Sequence, residues 1–142
     1  METEPKIVAA YIATGKARLV YRHLLQLGPG SLRTAEASEC AADQTAFWPM
    51  HDALYARQDE VYRTSDLDAT LTGFARDLRL DISRFNACMQ NHQHREFIQA
   101  DYRAAQAAGV RYRPTFDIDG TRLTGALPFA TFQQAIEASR AR

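Results

Sequence analysis

The sequence lacks the features that would tie it to a membrane or to secretion. Its apolar runs, such as Leu19-Val20-Tyr21, are only a few residues long, whereas a membrane-spanning helix needs about 20. Met1 is followed by acidic Glu2 and Glu4 rather than by a basic segment and an apolar one. The sequence as written therefore predicts no signal peptide, no membrane span and a cytoplasmic location.

An excess of charge is also lacking. The chain has 17 Lys and Arg residues against 17 Asp and Glu residues, and its formal net charge is +0. Such a chain has no overall field to attract nucleic acid or an anionic membrane. Basic residues recur near the end, but they are scattered rather than clustered. We therefore expect no nucleic-acid partner.

Cysteine is scarce. Cys40 and Cys88 are the two cysteines of the chain, and their spacing is neither a Cys-x-x-Cys redox motif nor a metal site by itself. In an oxidising compartment they could form one disulfide, and in a reducing one they would be two buried thiols. His92 and His94 are two residues apart, a spacing that does not predict a zinc site, so no metal is expected.

What is present is the composition of one globular domain of 142 residues, with 46% hydrophobic and 24% charged residues. Helical spacing over 3–14 is followed by an apolar segment at 17–24, which we interpret as a strand. Helical patterns fill the chain from Ser31 to Gly109. The extended segments Thr115–Ile118 and Thr121–Thr124 then flank Asp119-Gly120, a hairpin-turn signal, and a last helix follows Pro128. This order predicts an α/β fold with an inserted helical subdomain.

Several blocks occur in an order that resembles the DsbA-like thiol–disulfide oxidoreductases. They are Tyr11-Ile12-Ala13-Thr14-Gly15-Lys16, the Cys40 to Tyr55 block with its Phe47-Trp48-Pro49-Met50-His51, the Leu80-Asp81 to Cys88 segment, and Arg113-Pro114-Thr115-Phe116 with Gly125-Ala126-Leu127-Pro128. The resemblance implies a single domain over 1–142 with an incomplete thioredoxin-like fold and an all-helical insert at about 31–108. It implies disulfide exchange with protein or peptide substrates, and no cofactor.

The resemblance also identifies site residues. Pro114 matches the family's cis-proline, so Arg113, Pro114 and Thr115 are expected to line a substrate groove; the alternative is a trans proline that begins an edge strand. Cys40 and Cys88 match a structural disulfide of many relatives, and two reduced cysteines are the alternative. His51 and Asp52 are interpreted as packing residues. No residue of this sequence is expected to be catalytic.

The family's Cys-x-x-Cys pair does not occur in these 142 residues. Relatives place two strands and the start of a helix before the position of Met1, so we expect a truncated or degenerate member that is inactive as written. Whether it is an enzyme is left open, and an upstream N-terminus would make an extracytoplasmic location possible. The alternative is a non-catalytic peptide-binding or dimerisation module that uses the groove around Pro114. A homodimer through an exposed sheet edge is also considered. A glutathione-dependent isomerase or transferase ranks last.

Overall fold

The structure, a computed structural model, describes residues 3–141. Its elements, in chain order, are α1 (Thr3–Ile7) with a continuing π-helical segment (Val8–Ile12), α2 (Pro29–Ala42), α3 (Phe47–Ala56), α4 (Gln58–Arg63), α5 (Leu67–Asp77), α6 (Ile82–Gln90), α7 (Arg95–Ala107), β1 (Thr115–Ile118), β2 (Thr121–Thr124) and α8 (Phe129–Arg140). None of the helices within residues 3–141 has the length and hydropathy that a membrane span requires.

The chain divides into two compact units, Met1–Arg22 with Ala105–Arg142, and His23–Ala104. The second unit corresponds approximately to the helical insert expected at 31–108. The expectation that both belong to a single domain stays a prediction.

The first unit holds the hairpin and the two terminal helices. β1 and β2 pair antiparallel, with Phe116 opposite Leu123 and Ile118 opposite Thr121. The turn between them has positive φ at both central residues, 45° at Asp119 and 88° at Gly120, which is the requirement of a type I′ hairpin. The hairpin predicted from sequence thus has the predicted bounds.

A small core lies behind this hairpin. Its buried residues are Ile7, Tyr11, Phe132 and Ile136. Phe116 of β1 adds its ring, which meets that of Phe132 edge to face with centroids 4.7 Å apart. Alternate residues of a strand point to one face, so Phe116 and Ile118 give β1 one apolar face and packing against α8 covers it.

The strand predicted at 17–24 is absent: the structure has no helix or strand there. Both sides of an interior strand should be covered, yet Val20 is 56% and Tyr21 36% exposed. A strand exists only through hydrogen bonds to a neighbour. Within residues 3–141 the sheet consists of β1 and β2 alone, so the segment has no partner strand and the prediction is wrong.

The second unit is all helical, and local sequence signals mark the ends of some of its helices. Asp66 and Asp81 cap α5 and α6, accepting hydrogen bonds at 3.0 Å from the amides of Ala69 and Arg84. Helical patterning was expected from Ser31, but α2 already begins at Pro29 after Gly28, whose φ is 72°. Proline at the first helical position needs no amide partner, so the helix starts before the serine.

The core of this unit forms where α2, α3, α5 and α6 meet. Its buried residues include Met50, Leu71, Phe74 and Phe85, with Cys40 and Cys88 among them. In the described part of the chain, every fully buried side-chain nitrogen or oxygen has a hydrogen-bond partner. Apolar burial therefore stabilises the unit without leaving unpaired polar groups, each of which would cost about 1–3 kcal/mol.

Candidate functional site

The three residues expected to line a groove lie at the start of β1. The Arg113–Pro114 peptide bond is cis. The carbonyl of Pro114 accepts a hydrogen bond from the amide of Gly125 at 2.8 Å, and the hydroxyl of Thr115 donates to the carbonyl of Tyr112 at 2.6 Å. Arg113 and Pro114 are exposed. The structure thus anchors the residues at this end of the hairpin by hydrogen bonds, with exposed chain before them.

The outer edge of β1 carries backbone groups that point away from β2. Bonded and non-bonded pairs alternate along an antiparallel ladder. The bond from Gly125 to Pro114 and the two-residue turn make Phe116 and Ile118 the bonded residues of β1. Thr115 and Asp117 therefore direct their N–H and C=O groups outward. Within residues 3–141 no strand pairs with this edge.

The two cysteines lie in the helical unit. Cys40 and Cys88 form a disulfide with Cα atoms 5.8 Å apart, and only 1% and 4% of these residues is exposed. Each lies in the last turn of its helix, α2 for Cys40 and α6 for Cys88. A reactive thiolate is stabilised at a helix N-terminus or beside a cation, so these positions suit a cross-link better than a nucleophile.

The histidines lie in separate surroundings. His51 is buried against aromatic rings, 4.6 Å from that of Tyr55 between centroids, and its Nδ1 is 3.0 Å from Asp52. His92 and His94 lie in the turn between α6 and α7. His92 contacts Glu36 at 3.1 Å and His94 contacts Asp43 at 2.8 Å. The two histidines thus lie in one turn but contact different carboxylates.

Sequence reasoning did not connect His94 with the cysteines. The metal-binding atoms of Cys40, Cys88 and His94 lie within 4.8 Å of one another. Asp43, next to them, has one carboxylate oxygen 3.7 Å from the sulfur of Cys88. His94 is 54 positions from Cys40 in the sequence, so local spacing gave no signal. Only the packing of α2 against α6 brings the group together.

Comparison with known proteins gives the family. The sequence model of the family described as Thioredoxin matches residues 1–138, nearly the whole chain. The chain belongs to the thioredoxin family. Among solved structures, a thioredoxin-like oxidoreductase from Silicibacter pomeroyi DSS-3 superimposes with a TM-score of 0.74, covering 99% of this chain and 76% of that one. At 22% identity this likeness shows the fold, a thioredoxin-like fold with a helical insert.

Similar sequences also occur inside larger proteins. This thioredoxin-family chain is 37% identical over 123 residues to a protein of Herminiimonas arsenicoxydans named Na(+)/H(+) antiporter NhaA, covering 87% of this chain and 19% of that protein. It is 34% identical over 137 residues to Na(+)/H(+) antiporter NhaA 3 of Salinispora tropica, covering 95% of this chain and 20% of that protein. The chain thus spans about a fifth of the length of these relatives.

Proposed function

We propose that the hairpin of this chain forms the peptide-binding side of a DsbA-like thiol–disulfide oxidoreductase. An extended substrate segment would dock on the outer edge of β1. The observation that carries the proposal is the outward direction of the Thr115 and Asp117 backbone groups on an edge that pairs with no strand within residues 3–141. An unpaired edge accepts an extended peptide as an added strand. Arg113, Pro114 and Thr115 would lie beside that peptide.

The 142 residues contain no free cysteine that could act as the nucleophile of disulfide exchange. The sequence has two cysteines and no Cys-x-x-Cys, and both are joined in the buried disulfide. Thiol–disulfide exchange begins with attack by a thiolate. We therefore expect this chain by itself to bind substrate segments without oxidising or reducing them.

Binding can be tested with an unstructured peptide in which serine replaces cysteine, so that no covalent bond can form. We expect saturable shifts of the Thr115 and Asp117 amide signals in nuclear magnetic resonance spectra, and smaller shifts for Phe116 and Ile118. An absence of shifts at millimolar peptide would contradict the proposal.

Two variants at one position give a matched control. Asp117→Pro removes an outward N–H while leaving the bonds to β2, whereas Asp117→Ala keeps that N–H; both lose the hydrogen bond from the Gly120 amide to the carboxylate, at 2.8 Å. We expect Asp117→Pro to weaken peptide binding about tenfold, the effect of about 1.4 kcal/mol. Equal peptide binding by both variants would exclude the outer edge of β1 as the binding site.

The second candidate use of the same edge is pairing with another copy of the chain. Unpaired strand edges are templates for such pairing. Sedimentation at rising concentration distinguishes the two: a dimer abolished by Asp117→Pro and kept by Asp117→Ala would favour self-association. A monomer that binds peptide would favour the first proposal.

We do not propose antiporter activity for this chain. The relatives that carry that name match this chain over about a fifth of their length. The name therefore describes proteins that are mostly made of residues outside the matched region. Our proposal concerns the thioredoxin-family residues alone.

A further inference from the structure

The ends of α2 and α6 bring together four side chains that can bind a metal ion. Cys40 lies in the last turn of α2, and Asp43 is the residue that ends that helix. Cys88 lies in the last turn of α6, and His94 follows in the next turn. We propose that reduction of the Cys40–Cys88 disulfide turns this cluster into a zinc site, with Cys40, Cys88 and His94 as ligands and Asp43 as the fourth.

The donor set is one that zinc prefers. Structural zinc sites are tetrahedral and combine cysteine sulfur with histidine nitrogen, and carboxylate oxygen also binds. Here the ligand atoms of Cys40, Cys88 and His94 lie within 4.8 Å of one another. Two thiolates on one tetrahedral zinc are about 3.8 Å apart. Opening the disulfide lets the sulfurs separate to that distance, and a closure of about 1 Å by His94 completes the geometry.

Asp43 is placed to complete the set. One of its carboxylate oxygens lies 2.8 Å from Nε2 of His94 and 3.7 Å from the sulfur of Cys88. It therefore adjoins two of the three other proposed ligands, both from the α6 side of the cluster. A carboxylate in this position can bind the metal directly or hold a water that does.

Helix electrostatics favour a cation here. The last turn of a helix carries partial negative charge from its unpaired carbonyls. Both cysteines lie in such turns, so a bare thiolate at either position is disfavoured and a divalent cation beside it is favoured. Zinc with two thiolates and one carboxylate carries a net charge of about −1. Arg84, which lines the adjoining cleft, can offset that charge.

An ion can reach the cluster from solvent. A cleft of about 310 Å³ lies against Cys40, Asp43 and Cys88. The side chains of His94 and Asp43 are 24% and 41% exposed, whereas the cysteines are buried. The cleft thus reaches both sulfurs and Asp43, and the side chain of His94 is itself partly accessible to solvent.

A thiol reductant can supply the electrons and protons that open the Cys40–Cys88 disulfide. A dithiol gives two electrons and two protons to the disulfide, becomes a cyclic disulfide itself, and leaves two thiols at Cys40 and Cys88. Zinc then displaces the proton of each thiol, forming two Zn–S bonds and releasing two protons to solvent. The oxidised protein holds no thiolate and lacks the site. The cluster therefore exchanges a covalent cross-link for a metal cross-link between the same two helices.

The test uses the full chain, reduced with a phosphine in the absence of oxygen and then freed of it. The phosphine takes up the oxygen atom of one water molecule and leaves both thiols. Titration with Co²⁺ should give one equivalent of bound metal with the ligand-field absorption of a tetrahedral site and a thiolate charge-transfer band. Zn²⁺ should displace it with release of about two protons per ion. The oxidised protein should show neither band.

Matched histidine variants separate this site from incidental binding. His94→Ala should weaken Zn²⁺ binding by more than about 100-fold, beyond the 10–100-fold that loss of an outer-shell partner costs. His92→Ala, two residues away and paired with Glu36, should bind as the wild type does. Asp43→Asn should weaken binding at least about tenfold.

Three results would overturn the proposal. They are a reduced protein without the charge-transfer band, equal binding by the His94→Ala and His92→Ala variants, and a reduced chain that loses its helical circular dichroism and does not recover it with Zn²⁺. The last result counts against the site because binding to a real structural site restores the fold. None of these outcomes bears on peptide binding at β1, so the two proposals fail separately.

Discussion

The guanidinium carbon of Arg57 lies 3.9 Å from the centroid of the Phe74 ring. Phe74 is fully buried in the helical unit, so the cation covers the outer face of a core aromatic ring. The same guanidinium donates hydrogen bonds to Glu60 at 2.7 Å and Asp77 at 2.7 Å, and both raise the pKa of Arg57 above its usual range. One side chain thereby links the region after α3 to α4 and α5.

We expect Arg57→Gln to lower the free energy of unfolding by about 1 kcal/mol, the size of a cation–π contact at a partly exposed site. Urea unfolding followed by circular dichroism measures it. Arg63→Gln is the matched control, because Arg63 is 80% exposed and pairs only loosely with Asp59 at 3.3 Å. That variant should differ from the wild type by less than about 0.5 kcal/mol. Equal losses in the two variants would mean that the ring contact contributes nothing.

The buried carboxylate of Glu36 predicts a loss of stability in acid. Burial alone would raise its pKa, but hydrogen bonds from Arg33 and Arg95 outweigh burial and lower the pKa below its ordinary value of 4.5. A lowered folded-state pKa gives stability that is complete above about pH 4.5 and is lost as the pH falls through the folded-state value. We expect the wild type to lose more stability between pH 5 and pH 3 than Glu36→Gln does, in urea unfolding across that range.

The control for this pH dependence is Glu96→Gln, because Glu96 is 80% exposed and pairs with Arg103 at the surface. Its acid profile should follow that of the wild type. A Glu36→Gln profile parallel to the wild type would show that the buried cluster does not cause the loss in acid.

The disulfide should contribute strongly to thermal stability. The Cys40–Cys88 bond closes a loop with a sequence separation of 48, and chain entropy assigns such a loop about 4 kcal/mol. We expect reducing conditions to lower the melting temperature by several degrees, in melts that contain a metal chelator. A Cys40→Ala, Cys88→Ala double variant should melt lower and should not respond to reductant. Identical melts of the wild type with and without reductant, with two titratable thiols before reduction, would contradict the pairing.

The hairpin turn depends on Gly120. Its φ of 88° is strained for any residue with a Cβ, so we expect Gly120→Ala to destabilise the first unit by roughly 1 kcal/mol. Thr121→Ala, at the next position, is the control. The measurement is hydrogen exchange of the Phe116 and Ile118 amides, which should speed up in Gly120→Ala alone. Unchanged exchange would show that the turn tolerates a side chain.

Features encoded by neighbouring residues could be predicted from the sequence. Asp119-Gly120 specifies a turn, Asp81 caps a helix, and Gly15 with φ of 69° follows the first helical segment. In each case the residue acts on backbone groups within a few positions. The bounds of the hairpin were therefore predicted correctly.

Features that depend on distant residues could not. The segment at 17–24 has the composition of a strand, but the ladder needs a neighbour that composition does not reveal. Helix α4 was not predicted, because none of its residues is buried and so no apolar periodicity marks it. His94 joined the cysteines only through packing of α2 against α6.

The disulfide between α2 and α6 encloses α3, α4 and α5 in a covalent ring. The connection between α4 and α5 lies inside that ring, and its exposed residues Ser65 and Asp66 give a protease access to the backbone. A single cut there adds one water molecule and releases no fragment. The nicked protein would migrate as one species on a gel without reductant and as two with it, and both halves would stay at each other's side to reassemble.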